Sequence, residues 1–229
     1  MIKTMETHRQ NIIKKINNFI FKVDLQTLFR DCIHIMALRI ALMTDIYNHK
    51  ERNAELERVT KKYKNKEVHQ IEELINAFYE MFIDSATDFG DHLGAIFMGL
   101  AHKGNHKGQF FTPYNISRMI ARMQFSNPAE EIKRKSPFSI ADPCCGAGGL
   151  LVAACEILTE KKINYTKDVI FYGADIDLTC VEMTYLQLTF LGASALIEHK
   201  DTLLLKKWDE YRTPGIILAH TDLLIKGTK

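Results

Sequence analysis

Residues 1–89 contain neither glycine nor proline, whereas all twelve glycines lie between Gly90 and Gly227 and all five prolines between Pro113 and Pro214. Those two residues punctuate turns, so a stretch of this length without them predicts long helices. The apolar spacing agrees. Ile12, Ile13, Ile16, Phe19, Ile20 and Val23 fall on one face at helical period, as do Val68, Ile71, Leu74, Ile75, Phe78 and Phe82. DCIHIMALRIALM (31–43) is apolar on more than one face and predicts a buried central helix. The charged stretch 48–67 predicts a solvated helix, or a helix with a mobile loop.

Beyond residue 108 the period changes. FSIADP (138–143) and VIFYGADID (169–177) read as buried strands, with ALIEHKD (195–201) and GIILAH (215–220) as weaker strands. Between them, GLLVAACEILTEKK (149–162) and LTCVEMTYLQLTFLG (178–192) read as helices. Strands alternating with helices predict a parallel sheet with crossover helices. The chain therefore divides into a helical N-terminal domain, 1–107, and an α/β domain, 108–229. In such sheets ligands sit at the carboxyl ends of the strands. The turn ADPCCGAGGLL (141–151) stands at that place after the first strand.

Composition excludes several classes. Hydrophobic residues make up 46% and charged residues 25%, as in ordinary globular proteins, and a net charge of +2 gives no overall basic signature for nucleic acid. Apolar clusters are broken by charges well short of the roughly 18 residues of a membrane span. The five cysteines, Cys32, Cys144, Cys145, Cys155 and Cys180, form no CxxC pair, which suits a reducing, cytoplasmic setting. The Cys144–Cys145 pair lacks ligand spacing, and His92, His102 and His106 read as solvated loop histidines, so no metal site is expected. The Lys133–Lys135 run reads as a solvated face.

Three nucleotide-type ligands compete for the glycine turn. A P-loop requires Lys-Ser or Lys-Thr after the glycines, and none follows. A dinucleotide fold wants a third glycine where Leu151 stands. S-adenosylmethionine suits a wider loop preceded by an acid and a proline, as Asp142-Pro143 supplies. Gly146 and Gly148 keep side chains out of its path.

GQFFTP (108–113), DPCCGAGG (142–149), GADID (173–177) and KDTL (200–203), in that order, resemble the N6-adenine DNA methyltransferases, in particular the modification subunit of type I restriction systems. DFGDHLGAIFMGL (88–100) resembles that family's linker helix, and the likeness covers roughly 70–205. The resemblance implies a Rossmann-like S-adenosylmethionine-dependent methyltransferase sheet, here partial with about four strands, behind an all-helical domain. It implies that Gln109, Phe111, Thr112 and Pro113 line the methionine end of the cofactor, with Asp142, Gly146, Ala147 and Gly148 as the loop beneath. Asp175 would accept from the ribose hydroxyls. Asp201 would meet the adenine amino group, flanked by Thr202. Asp177 reads instead as the N-cap of the following helix.

The family's catalytic Asn-Pro-Pro-aromatic signature binds an adenine flipped from the duplex and supports the charge that develops during methyl transfer. The chain contains no Asn-Pro-Pro, and His220-Thr221-Asp222 stands where it is expected. No catalytic residue is therefore assigned. Cofactor binding is expected to survive better than catalysis, in a fragment, a decayed copy or one part of a split enzyme. The resemblance implies DNA as substrate and a specificity subunit or a complementary methyltransferase subunit as partner. A sheet ending at 215–220 would leave an open edge, covered by the N-terminal helices or used for self-association. The alternatives are an inactive cofactor-binding or assembly module and an unrelated nicotinamide-dependent oxidoreductase, which Leu151 disfavours.

Overall fold

Among the described residues, four helices occupy the glycine-free stretch. They are α1 (Met5–Asn17), α2 (Leu25–Thr44), α3 (His49–Thr60) and α4 (Lys66–Asp84), and α5 (His92–Ala101) follows. The computed structural model describes residues 4–19, 24–64, 66–84, 88–101, 110–128, 130 and 137–219. The chain divides into two units, Met1–Asp88 with His92–Phe110, and Phe89–Asp91 with Phe111–Lys229.

In the first unit, side chains set two helix starts. Thr4 accepts from the Thr7 amide ahead of α1, and Asp24 from the Thr27 amide ahead of α2. As the sequence predicts, α2 is the central helix. Phe29, fully buried, holds Phe78 at 6.0 Å and Phe97 at 5.8 Å between ring centroids. α4 buries Ile71, Leu74, Ile75, Phe78 and Phe82 as expected, but Val68 at its first turn is 41% exposed. α1 ends before Phe19, and Ile20 and Val23 lie outside the described residues. His92 is buried at the start of α5, where Nε2 donates to the Asp88 carbonyl at 2.9 Å. It is therefore no solvated loop histidine, because the helix start turns its ring onto backbone. His102 and His106 lie outside the described residues.

Among its described residues, the second unit holds a four-stranded sheet of order β1-β2-β3-β4, made of β1 (Phe138–Asp142), β2 (Val169–Asp175), β3 (Ser194–Asp201) and β4 (Lys206–Arg212). β1, β2 and β3 are parallel, and β4 returns antiparallel to β3, so the sheet is mixed. Its helices are α6 (Tyr114–Gln124), α7 (Gly149–Glu160), the single turn α8 (Tyr165–Asp168), α9 (Leu178–Phe190) and α10 (Pro214–Ala219). α7 and α9 are the predicted crossovers. α9 buries nearly all its residues, including the polar Thr184 and Gln187.

The fourth strand is not the one the sequence predicts. The sequence predicts a strand over GIILAH, yet 214–219 forms α10. Pro214 suits the first helical position, and Thr213 ahead of it is fully buried, its hydroxyl donating to the Ala193 carbonyl at 2.7 Å. Gly215 lets the helix rest on the sheet, since a Cβ there would stand 2.7 Å from the Ala193 carbonyl oxygen. The real strand, KKWDEYR, is charged at nearly every position and buries only Tyr211, so it lacks the alternation that identifies strands. Charge of this kind suits an edge.

The described sheet has two outer strands, β4 and β1. Among the described residues β1 pairs only with β2, and Ser139 and Ala141 are exposed. α6 packs on α7 through Ser117 and Ala121, through Arg118 to Glu156 at 2.9 Å, and through Tyr114 Oη donating to Glu156 at 2.7 Å. Its apolar stripe points elsewhere, with Ile116 38%, Met119 52% and Met123 73% exposed.

Candidate functional site

Each of the three parallel strands ends on an aspartate: Asp142 on β1, Asp175 on β2 and Asp201 on β3. The parallel registers, Asp142 opposite Gly173 and Asp175 opposite His199, put all three on the carboxyl rim of the sheet. The glycine turn rises from this rim.

The turn is fixed from several directions. Gly146 has φ 54° and Gly148 φ 90°, both left-handed. A Cβ on Gly146 would stand 3.1 Å from the Phe111 ring, and one on Gly148 would stand 2.8 Å from Thr184 Oγ1. The Gly146 amide donates to Asp175 Oδ2 at 2.9 Å, and the Cys145 amide donates to the Ala174 carbonyl at 2.9 Å. From α9, Thr184 Oγ1 donates to the Gly146 carbonyl at 2.9 Å, and Gln187 Nε2 to the Ala147 carbonyl at 2.6 Å.

The acids have distinct surroundings. Asp175 Oδ1 accepts from the Asp177 amide at 2.9 Å, so each of its oxygens holds one backbone donor and keeps a second lone pair. Asp142 Oδ1 accepts from the Cys144 amide at 3.1 Å. Burial pushes the Asp142 carboxyl up from its ordinary value; the Cys144 amide opposes this and the Asp175 charge adds to it. Among the described residues, Asp201 Oδ1 takes the amides of Leu203 and Leu204, at 3.0 and 2.9 Å, and Oδ2 takes no donor. Thr202 Oγ1 donates to the Pro143 carbonyl at 2.7 Å and ties the end of β3 to the Asp-Pro segment.

The structure brings together Phe111, Asp142, Gly146, Ala147, Gly148, Asp175, Asp201 and Thr202. Thr112 and Pro113 are exposed, with Pro113 at the N-cap of α6. Gln109 lies outside the described residues. Asp177 caps α9, accepting from the Thr179 amide at 2.8 Å. Cys145 is buried beneath the turn, its thiol pushed up to about 12 by burial. The described residues include no group of three or more His, Cys, Asp or Glu placed to hold a metal, and no helix long and apolar enough to cross a membrane.

Sequence reasoning missed Thr184 and Gln187. Part of their signal was present: polar residues three apart on a helix are placed to face a common neighbour, although Thr179, Glu182 and Thr189 on the same helix are polar too. A depression of about 270 Å³ also abuts Asp142 and Thr202, lined by Ala141, Tyr172, Ala174, Leu196, Glu198 and Lys200. The side chains of Tyr172, Leu196 and Glu198 alternate with those of Phe171 and Ile197, so the depression lies on the other face of the sheet, and its lining includes none of residues 144–149.

Comparison with known proteins identifies a family. The family described as N-6 DNA Methylase matches residues 84–222. The type I restriction enzyme MpnII methylase subunit of Mycoplasma pneumoniae is 28% identical over 151 residues, covering 62% of this chain and 26% of the relative. The MjaIX methylase subunit of Methanocaldococcus jannaschii is 26% identical over 134 residues, covering 58% of this chain and 20% of the relative. A solved type I restriction-modification methyltransferase subunit from Streptococcus thermophilus is 17% identical with a TM-score of 0.45, covering 89% of this chain and 41% of that one.

Proposed function

The chain belongs to the N-6 DNA methylase family, and on that premise we propose that its glycine turn and carboxylate rim hold S-adenosylmethionine. One observation carries the reading, the three aspartates that end three adjacent strands. S-adenosylmethionine offers donors and positive charge where a dinucleotide offers a pyrophosphate. Its ammonium suits Asp142, its ribose hydroxyls suit Asp175, and its adenine amino group suits Asp201 Oδ2. A pyrophosphate against that rim would meet like charge. Phe111 packs against Gly146 and closes the methionine side. When bound, the cofactor supplies an electrophilic methyl group. The residues of this chain bind and orient it.

The chain spans about a quarter of the length of the curated relatives it matches, 26% of one and 20% of another. Methyl transfer to adenine N6 in DNA is accordingly the proposed activity of a larger whole. A second reading, a cofactor-binding portion completed by a complementary polypeptide, is favoured by the sheet. β1 carries the turn yet is paired on one side only among the described residues, and the apolar stripe of α6 is exposed. A ligand crevice of this sheet type lies where the strand order reverses, which requires a strand on both sides of β1.

Calorimetric titration with S-adenosylmethionine, alongside a methyl-transfer assay on unmethylated DNA, tests both readings. The expected result is cofactor binding with no N6-methyladenine formed by the chain alone. No binding at millimolar cofactor would sink the cofactor reading, and methylation by the isolated chain would sink the second.

The raised Asp142 carboxyl gives a pH prediction. The ammonium requires ionised Asp142, so affinity is full above the raised pKa of the free protein and is lost as pH falls through it. Stability runs the other way. The native state binds the proton more tightly than the unfolded chain, so the Asp142 contribution weakens as pH rises through that window. Asp142→Asn therefore raises the unfolding midpoint at neutral pH and weakens cofactor binding at least tenfold, about 1.4 kcal/mol. A variant that binds normally, or a midpoint that falls, would contradict this account.

A further inference from the structure

Gln187 is 3% exposed on α9, among the buried Met183, Leu186 and Leu188. Its amide nitrogen donates twice, to the Ala147 carbonyl at 2.6 Å and to Asp91 Oδ1 at 3.0 Å. Both partners only accept, so the amide has one usable orientation; reversing it would set Oε1 against two oxygens. Asp91 belongs to the same unit and is itself placed, with Oδ2 3.2 Å from where a Cβ of Gly149 would stand.

The Ala147 carbonyl sits between Gly146 and Gly148, both left-handed, where no helix or strand ladder can hold the backbone. A buried amide left without partners would cost about 1–3 kcal/mol. Here both of its protons are used to fix one peptide of the turn and to read one carboxylate. Packing alone would be served equally well by leucine or methionine at that position.

We propose that Gln187 and Asp91 are positioning residues for the cofactor turn: Asp91 sets the amide of Gln187, and Gln187 fixes the Ala147 peptide between the two glycines. Neither touches the cofactor. They raise its affinity by holding the turn in its binding form before the ligand arrives. The inference rests on the reading of this turn as the S-adenosylmethionine site.

The test is a titration of S-adenosylmethionine into the wild type, Gln187→Met, Asp91→Ala and Asp91→Asn, with amide hydrogen exchange on each unliganded protein. Gln187→Met and Asp91→Ala are expected to bind at least tenfold more weakly. Asp91→Asn retains a carbonyl oxygen for Gln187 and is expected to bind within about threefold of wild type, a rescue that a purely space-filling role would not give. Without ligand, the Gly146 and Gly148 amides, bonded to Asp175 Oδ2 and the Cys145 carbonyl, are expected to exchange faster in Gln187→Met. Wild-type affinity in Gln187→Met, or equal losses in both Asp91 variants, would overturn the assignment. Should the wild type bind no cofactor, the reading of the site fails, and the exchange data alone then decide on the brace, with unchanged exchange overturning it.

Discussion

Asp175→Ala is expected to lower the affinity for S-adenosylmethionine by about a hundredfold or more, the loss of two charge-assisted hydrogen bonds at roughly 1.5–3 kcal/mol each. The size of the effect follows from the double duty of this carboxylate. Oδ2 holds the Gly146 amide and Oδ1 the Asp177 amide, while the remaining lone pairs are assigned to the ribose hydroxyls. Alanine removes the ligand's acceptor and releases one end of the glycine turn together. Asp175→Asn keeps one acceptor oxygen and is expected to lose about tenfold, placing it between alanine and wild type. Calorimetry on the three proteins checks the order. Binding by the alanine variant within threefold of wild type would remove Asp175 from the ribose.

Gly148→Ala is expected to destabilise the protein by about 2–5 kcal/mol, the sum of left-handed strain at ~1–2 kcal/mol and overpacking at ~1–3 kcal/mol. At φ 90° an added Cβ would stand 2.8 Å from Thr184 Oγ1, 3.0 Å from its Cγ2 and 3.2 Å from its Cα. The last of these is backbone, so the turn and α9 must separate. Adding Thr184→Ala relieves only the side-chain contacts and gives up the bond to the Gly146 carbonyl, so the double variant recovers part of the loss. Gly99→Ala is the control. Gly99 lies within α5, where a Cβ would meet Ile13 Cδ1 at an ordinary 3.5 Å. That change is expected to leave stability unchanged or raise it by about 0.5–1 kcal/mol. Thermal unfolding reads all four proteins. A Gly148→Ala midpoint equal to wild type would mean that the turn does not hold its left-handed form.

Much of the fold was legible in the chain. The helical stretch announced itself through missing glycine and proline, and β1 and β2 through short apolar runs ended by acids. The last strand was not. KKWDEYR carries almost no apolar signal because one edge of a sheet faces water, while GIILA is apolar because α10 packs on β3, and both segments mislead a reading that equates apolar with strand. His92 misled in the opposite direction: a polar ring beside a glycine-rich stretch is buried because the backbone just ahead of α5 supplies its partner.

The site divides along the same line. The sequence by itself determined which residues form the turn and the rim, because Gly146, Gly148 and the strand-ending Asp142, Asp175 and Asp201 are set by local backbone demands: left-handed dihedrals, and a strand giving way to a loop. Only the tertiary structure decided what holds the turn in place. Thr184, Gln187 and Asp91 lie 38, 40 and 58 residues from Gly146, Ala147 and Gly149. Thr184 and Gln187 meet the turn because the sheet lays α9 against it, and Asp91 meets it beside Gly149. Contacts across such distances depend on how elements pack, which no local pattern of residues encodes.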